Sequence, residues 1–274
     1  MPELPEVETI RAGLEPLLVG QTFEHVEIED ARLTRPHDPV EVATELVGET
    51  VAALERRGKY LVVRFESGRA LLIHLRMTGS LLLVRNGIPP EDPYRRAVIR
   101  LDNGSDVAYR DVRRFGTWLL LEPGELEPYL GTRVGEELLD RRLSAQTLER
   151  RLERRRAPIK AVLLDQRVFA GVGNIYADEA LWWARIHPLR PAASLEHAEL
   201  RALVRGVRKS LTHGIARQGA TLRDYRGADG RRGSMQREFR VYGRLGEPCT
   251  RCGTPIEKTR AGGRGSWYCP NCQV

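Results

Sequence analysis

The first residues of the chain carry an apolar stripe at helical spacing. Val7, Ile10 and Leu14 recur every three or four residues, and Pro5 precedes them where proline favours the start of a helix. The pattern predicts a helix over 5–18 with one face on a core. A helix anchored this early would hold the first residues of the chain in place.

Further along, residues 22–121 form short segments in which apolar and polar positions alternate. Turn sequences such as 102–104 separate them, as in β-hairpins. About eight strands at this spacing predict a two-sheet β-sandwich or flattened barrel, with the first helix packed against it. The predicted strands are 22–29, 50–56, 60–65, 70–75, 80–84, 97–101, 106–109 and 117–121. A weak helix is expected at 41–46, and a linker at 122–142.

From residue 144 onward the periodicity becomes helical. Helices are predicted at 144–155, 158–164, 174–185 and 195–218. Residues 219–237 are rich in Gly and Arg and have little apolar periodicity, which is typical of a mobile loop. We therefore predict an α+β multidomain chain. Its domains are a β-sandwich at 1–130, a helical domain at 131–240 that includes the 219–237 loop, and a small C-terminal unit at 241–274.

Charge is distributed unevenly along the 274 residues. Residues 201–274 hold 16 Lys/Arg and 5 Asp/Glu, whereas the whole chain has a net charge of only +7. A basic end on a near-neutral body is typical of a polyanion-binding protein, although an Arg-rich surface from a GC-rich or heat-adapted genome leaves the same pattern. The chain has no run of about 20 apolar residues and no signal-peptide pattern, so we expect a cytoplasmic protein.

All four cysteines fall in the last 26 residues of the chain. They are Cys249, Cys252, Cys269 and Cys272. Two Cys-x2-Cys pairs separated by sixteen residues are typical of a tetrahedral zinc site with four thiolate ligands. Two disulfides are the alternative, but nothing in the sequence indicates an oxidising compartment.

The N-terminus itself offers chemistry. Removal of Met1 would leave a secondary amine on Pro2, which is a nucleophile that condenses with a carbonyl-like carbon to give an iminium. The carboxylates of Glu3, Glu6 and Glu8 follow at once and supply a proton donor or acceptor. The alternative is a frayed, solvated terminus.

Several loops carry side chains suited to contact with a nucleic acid. Met77, Arg113 and Phe115 are predicted on neighbouring loops, where an apolar and planar set can wedge into a base stack. Asn174 follows a glycine-rich turn at the start of a helix, and Arg264 stands among glycines in a predicted hairpin, which both suit phosphate binding. Taken singly, each of these residues also has an ordinary structural explanation.

Together these stretches resemble the formamidopyrimidine-DNA glycosylase family. The resemblance rests on residues 2–8, Lys59, 74–77, 113–116, 171–179, 221–225, 241–244 and the cysteine-rich end with 262–265. They occur in the family's order and span nearly the whole chain. Membership implies an N-terminal β-sandwich with a packed helix, a helix–two-turn–helix domain and a four-cysteine zinc-finger hairpin with one structural Zn²⁺.

The resemblance also implies a bifunctional DNA glycosylase and abasic-site lyase that removes oxidised purines from duplex DNA, acting as a monomer. Pro2 would be the nucleophile, and Glu3 the acid that opens the sugar ring. Lys59 would assist the first strand-breaking elimination and Arg264 the second, while the 219–237 loop closes over the everted base. The DNA-contacting residues implied are His74, Met77, Arg113, Phe115, Lys160, Asn174, Tyr242 and Arg264.

Two other functions compete with this one. An endonuclease VIII-type glycosylase for oxidised pyrimidines typically has Gly where this chain has Leu4. A non-catalytic zinc-ribbon protein that binds nucleic acid would explain the charge and the cysteines. It would leave Pro2, Glu3 and Lys59 without a role.

Overall fold

The structure of the protein is a computed structural model that describes residues 1–84, 92–140 and 143–274. The chain divides into two compact units. Unit 1 comprises Met1–Gly131 and Arg217–Ser234, and unit 2 comprises Thr132–Ala216 and Met235–Val274. Among the described residues no helix is long and apolar enough to span a bilayer.

Unit 1 is built from two antiparallel four-stranded sheets in its described residues, in the orders β1-β6-β7-β5 and β2-β3-β4-β8. The strands are β1 Phe23–Ile28, β2 Val51–Arg57, β3 Tyr60–Phe65, β4 Ala70–His74, β5 Gly79–Val84, β6 Arg95–Leu101, β7 Asp106–Asp111 and β8 Thr117–Leu121. They are accompanied by the helices α1 Leu4–Leu18, α2 Pro39–Leu46 and α3 Leu126–Gly131. The predicted two-sheet sandwich is confirmed.

Helix α1 packs on the sandwich through the stripe that predicted it. Val7, Ile10 and Leu14 are fully buried and belong to the same core as residues of both sheets. The segment 217–234 joins the same core, because Tyr225 and Ala228 are buried there and Leu83 of β5 donates a backbone hydrogen bond to Ala228 (2.9 Å).

Unit 2 is mainly helical. It contains β9 Glu136–Glu137, α4 Ala145–Leu152, α5 Ile159–Leu164, β10 Phe169–Ala170, α6 Asn174–Ala184, α7 His197–Ala216, β11 Glu257–Ala261 and β12 Arg264–Tyr268. Gly206 of α7 is close-packed on α6: an added Cβ would lie 2.5 Å from the carbonyl oxygen of Ala180. The α+β class with a C-terminal hairpin is therefore as predicted.

The segment expected to be a linker, 122–142, differs from that expectation. It contains helix α3 and strand β9, and β9 pairs in parallel with β10. Elements of two to six residues are too short to leave a periodic pattern in the sequence. Residues 141 and 142 lie outside the described residues. The predicted domain limits at 1–130, 131–240 and 241–274 stay a prediction, because the two units group residues by contact and unit 1 takes in 217–234.

Candidate active site

The N-terminal residues are fixed by hydrogen bonds at the start of α1. Pro2 is buried and Glu3 is only 2% exposed, while Met1 in front of them is half-exposed. Glu3 and Glu6 form a capping box, in which the backbone N–H of Glu3 donates to Oε2 of Glu6 (2.8 Å) and the Glu3 carboxylate accepts from the Glu6 backbone. The residue that would bear the amine is thus held rigidly next to a carboxylate.

Glu6 also connects the terminus to the 217–234 segment of the same unit. Its Oε1 accepts a hydrogen bond from the backbone N–H of Ala220 (2.7 Å), and its backbone carbonyl accepts from the Tyr225 hydroxyl (3.3 Å). Gly219 lies so close that an added Cβ would stand 2.8 Å from the Glu6 side chain. Sequence reasoning missed this link, because its partners are more than 200 residues apart.

Lys59 lies at the tight turn between β2 and β3. Gly58 before it has a φ of +59°, and Lys59 itself is 5% exposed. The guanidinium of Arg56 fixes the turn, because it donates to Glu8 on α1 (3.0 Å) and to the carbonyl oxygen of Gly58 (3.1 Å). Through Arg56, the carboxylate of Glu8 therefore helps to position the turn that carries Lys59.

His74 lies beside this turn, since it pairs with Tyr60 across β3 and β4 and its ring makes an edge contact with the Tyr60 ring. Burial, assisted by the charges of Arg76 and Lys59, lowers the pKa of His74 to about 3. The imidazole is therefore neutral at pH 7. Its Nδ1 accepts the backbone N–H of Arg76 (2.9 Å), which leaves the proton on Nε2.

The three residues predicted to wedge a base stack come together. Nη1 of Arg113 lies 2.9 Å from the sulfur of Met77, and the Arg113 guanidinium lies 4.7 Å from the ring centre of Phe115. Met77 is 39% exposed and Phe115 is 50% exposed. Large apolar side chains exposed side by side indicate a contact surface for a partner.

A cleft of about 650 Å³ opens beside these side chains. It is lined by Met1, Arg32, Arg35, Arg76, Met77, Arg114, Phe115, Gly116 and Thr117. The N-terminus and two of the three wedge residues therefore share one cleft with four guanidinium groups. Its positive charge suits a polyanionic ligand.

In unit 2, Arg264 stands at the tip of the β11–β12 hairpin. Gly262 and Gly263 form the two-residue turn with φ of +56° and +75°, which favours glycine at both positions. Ala261 pairs with Arg264 across this turn, and the Arg264 side chain is exposed. The tip therefore presents the Arg264 guanidinium to solvent.

Lys160, expected to contact DNA, lies in the interior of unit 2. Its ammonium is fully buried and bonds Asp178 of α6 (2.8 Å) and the carbonyl oxygen of Gly265 (2.7 Å). Asp178 also accepts from the Ser266 hydroxyl (2.7 Å) and from the Trp267 backbone N–H (3.1 Å). In this structure Lys160 is not a surface cation, and its ammonium group holds the β11–β12 hairpin through Gly265. Burial of its side chain, which a sequence pattern does not reveal, is the reason for the difference.

Asn174 and Tyr242 also belong to unit 2. Asn174 is the first residue of α6, and its buried Oδ1 has no hydrogen-bond partner among the residues that the structure describes. The Tyr242 ring lies 4.6 Å from the Trp267 ring, and its backbone N–H donates to Glu179 (3.0 Å). Glu179 also accepts the N–H groups of Arg240 and Val241, so one buried carboxylate shapes this turn.

The cysteine sulfurs lie within 4.8 Å of one another. They belong to Cys249, Cys252, Cys269 and Cys272, which are all free thiols. Ligand sulfurs about 2.3 Å from a central zinc ion stand roughly 3.8 Å apart, so the cluster fits a tetrahedral site. The indole N–H of Trp182 (3.4 Å) and the backbone N–H of Arg251 (3.5 Å) point at the Cys249 sulfur, as expected around a thiolate ligand.

Three family models match the chain in succession. The formamidopyrimidine-DNA glycosylase N-terminal domain matches residues 1–118, the H2TH domain of the same family matches 134–226, and the zinc finger found in FPG and IleRS matches 246–274. The last match covers the clustered cysteines, which hold one structural zinc ion with no open coordination position.

Relatives that match over all or nearly all of the chain support the same family. The formamidopyrimidine-DNA glycosylase of Geobacillus kaustophilus is 45% identical and covers 100% of both chains, and that of Moorella thermoacetica is 46% identical over 95% of both. The structure is similar to that of a Lactococcus lactis FPG mutant in complex with a Fapy-dG containing DNA, with a TM-score of 0.92 and 36% identity over 99% of each chain. The chain belongs to the formamidopyrimidine-DNA glycosylase family.

Proposed function

We propose that the protein is a bifunctional DNA glycosylase and abasic-site lyase of base excision repair, which removes oxidised purines such as 8-oxoguanine and formamidopyrimidines from duplex DNA. The proposal rests mainly on the arrangement of the N-terminal residues. Pro2 and the carboxylate of Glu3 are buried together at a capped helix start. Relatives named for this glycosylase match over the whole chain.

The chemistry starts from the Pro2 amine after removal of Met1. The amine attacks C1′ of the damaged nucleotide, and the base leaves with the electron pair of the glycosidic bond and takes up a proton. Glu3 protonates the ring oxygen as the sugar opens, which leaves an iminium between Pro2 and C1′. Loss of the C2′ proton then expels the 3′ phosphate, and a second elimination expels the 5′ phosphate. Lys59 serves the first elimination, and Arg264 serves the second.

Binding of the duplex uses the exposed cations and the wedge. Phe115 enters the base stack, and Met77 and Arg113 fill the place of the everted base. The Arg264 tip suits contacts to phosphate oxygens, and so does the neutral His74, whose Nε2 carries a proton that it can donate. Asn174 and Tyr242 supply further phosphate contacts, whereas Lys160 acts by holding the hairpin in shape.

The two competing functions account for fewer of the observations. A zinc-ribbon binding protein does not account for the buried Glu3 and Lys59. Leu4 differs from the Gly of the endonuclease VIII type. The relatives named above are bacterial proteins, so we place the enzyme in the cytoplasm, associated with the nucleoid through its binding of DNA.

Cleavage of a duplex that holds one 8-oxoguanine opposite cytosine tests this function. The purified protein should release the base and leave a one-nucleotide gap with phosphate at both ends. Glu3→Gln should lose base release while retaining binding of the same duplex. Binding of the duplex by the native protein without release of the base would instead support the non-catalytic function.

A further inference from the structure

Two loops carry the wedge residues, the β4–β5 loop at 75–78 and the β7–β8 loop at 112–116. They meet at Asp111, the last residue of β7, which pairs with Gly79, the first residue of β5. The Asp111 side chain is 1% exposed. A carboxylate is buried at this depth only where hydrogen bonds satisfy its oxygens, so its partners identify its role.

The partners of Asp111 belong to both loops. Oδ1 accepts the hydroxyl of Thr78 and the backbone N–H of Arg113 (3.2 Å). Oδ2 accepts the backbone N–H groups of Phe115 (2.9 Å) and Gly116 (2.7 Å). The Thr78 hydroxyl accepts the Arg113 N–H in turn (3.0 Å). One carboxylate thus fixes the backbone that carries Phe115 and Arg113 and the loop that carries the third wedge residue.

Tyr109, which lies beneath the two loops, restricts the position of their backbone. The Tyr109 hydroxyl would stand 1.7 Å from a Cβ added at Gly116 and 2.4 Å from one added at Gly79. The backbones of both loops therefore lie directly on this buried ring. Close contact with Tyr109 and hydrogen bonds to Asp111 therefore restrict the backbone at the base of both loops, whereas the wedge side chains are exposed.

We propose that Asp111 is the positioning residue of the wedge, which holds Met77, Arg113 and Phe115 in one register before DNA binds. The inference rests on the proposed function. A base leaves the stack only if the contacts that replace it offset the cost of unstacking, and side chains already in place lose less entropy on insertion. Asp111 touches no substrate in this account, and acts through the two loops.

Asp111→Asn tests the proposal, because the amide keeps the size of the carboxylate but presents an NH₂ group to two of its donors. Excision of 8-oxoguanine opposite cytosine in a duplex should slow by about tenfold or more, as expected for lost hydrogen bonds to a charged group. Cleavage of a single-stranded oligonucleotide at an abasic site needs no wedge, and its rate should change by less than about twofold.

Further variants serve as controls for Asp111→Asn. Asp106→Asn is a matched control, because Asp106 is a buried carboxylate at the other end of β7 that bonds Arg100 instead of a loop, and both rates should stay native. Thr78→Val removes only one of the hydrogen bonds to the carboxylate and should give the same pattern as Asp111→Asn with a smaller loss. In a Phe115→Ala background Asp111→Asn should cost less than it does alone, since both act through one wedge.

The outcomes separate the hypotheses. Equal loss on the duplex and on the single strand would show that Asp111 only maintains the fold and would overturn the proposal. A full additional loss in the Phe115→Ala background would also overturn it, because Asp111 would then act elsewhere. If the native protein fails to excise 8-oxoguanine from the duplex, the proposed function itself fails, and the inference fails with it.

Discussion

At the scale of single residues, we propose that Arg113 reads the base opposite the lesion. Its guanidinium is held between the Met77 sulfur and the Phe115 ring. The planar fork of donors suits the acceptors of cytosine's pairing edge, and lysine lacks this geometry. We expect Arg113→Lys to reduce discrimination for cytosine over adenine by about tenfold, more than it weakens overall binding.

Excision rates opposite each of the four bases measure this prediction. Arg264→Ala is the comparison, since a phosphate contact should lower affinity for every duplex alike and flatten its salt dependence. Rates in the native ratio for Arg113→Lys would show that Arg113 does not read the opposite base.

His74 gives the protein a predictable dependence of stability on pH. Its pKa is about 3 when folded, against 6.5 for a free imidazole, so the unfolded chain binds the extra proton between these values. The contribution of His74 to the free energy of unfolding is therefore full above about pH 6.5. It falls as the pH drops towards 3, with about 2 kcal/mol lost at pH 5. The His74→Gln variant should lack this part of the loss. Urea unfolding at pH 7.5 and pH 5 measures it, and equal losses in both proteins would refute it.

At the scale of elements, the carboxylate of Glu6 ties the 217–234 segment to the start of α1. A glutamine offers one acceptor oxygen, whereas the carboxylate serves the N–H groups of both Glu3 and Ala220. Glu6→Gln should therefore raise amide hydrogen exchange in 217–234 by at least about fivefold. Glu15→Gln, an exposed position on the same helix that pairs with Arg11, is the control. Unchanged exchange would show that other contacts, such as the buried Tyr225 and Ala228, hold the segment without the Glu6 carboxylate.

The elements themselves were largely predictable, and the links between them were not. The stripe at Val7, Ile10 and Leu14 predicted α1 because a helix on a core needs that period. Nothing local marks Glu6 as the anchor of 217–234, because Ala220 and Tyr225 lie more than 200 residues further along the chain. Asp111 bonds N–H groups two to five residues ahead, but its bond to Thr78 depends on the pairing of β5 with β7. The buried Lys160 illustrates the same limit, since a lysine on an amphipathic segment is more often at the surface.

At the scale of the whole molecule, the cysteine cluster belongs to unit 2, whereas the proposed nucleophile Pro2 belongs to unit 1. Removal of the ion by a chelator should unfold the β11–β12 hairpin and abolish DNA binding, because the hairpin carries Arg264. The sandwich should stay folded, since its core is made of residues of unit 1. Hydrogen exchange of α1 and of the hairpin, measured with zinc content and DNA affinity, checks both expectations. Active protein with well under one zinc per chain would contradict this account.

We propose above all that the amine of Pro2 is the nucleophile that attacks the damaged nucleotide. Borohydride reduces an iminium to a stable amine, so it should cross-link the native protein to 8-oxoguanine duplex with the adduct on Pro2. A form that retains Met1 should give no cross-link, because its Pro2 nitrogen is an amide. The measurement is peptide mapping of the trapped complex by mass spectrometry. An adduct on Lys59, or equal trapping of the Met1-retaining form, would contradict the account.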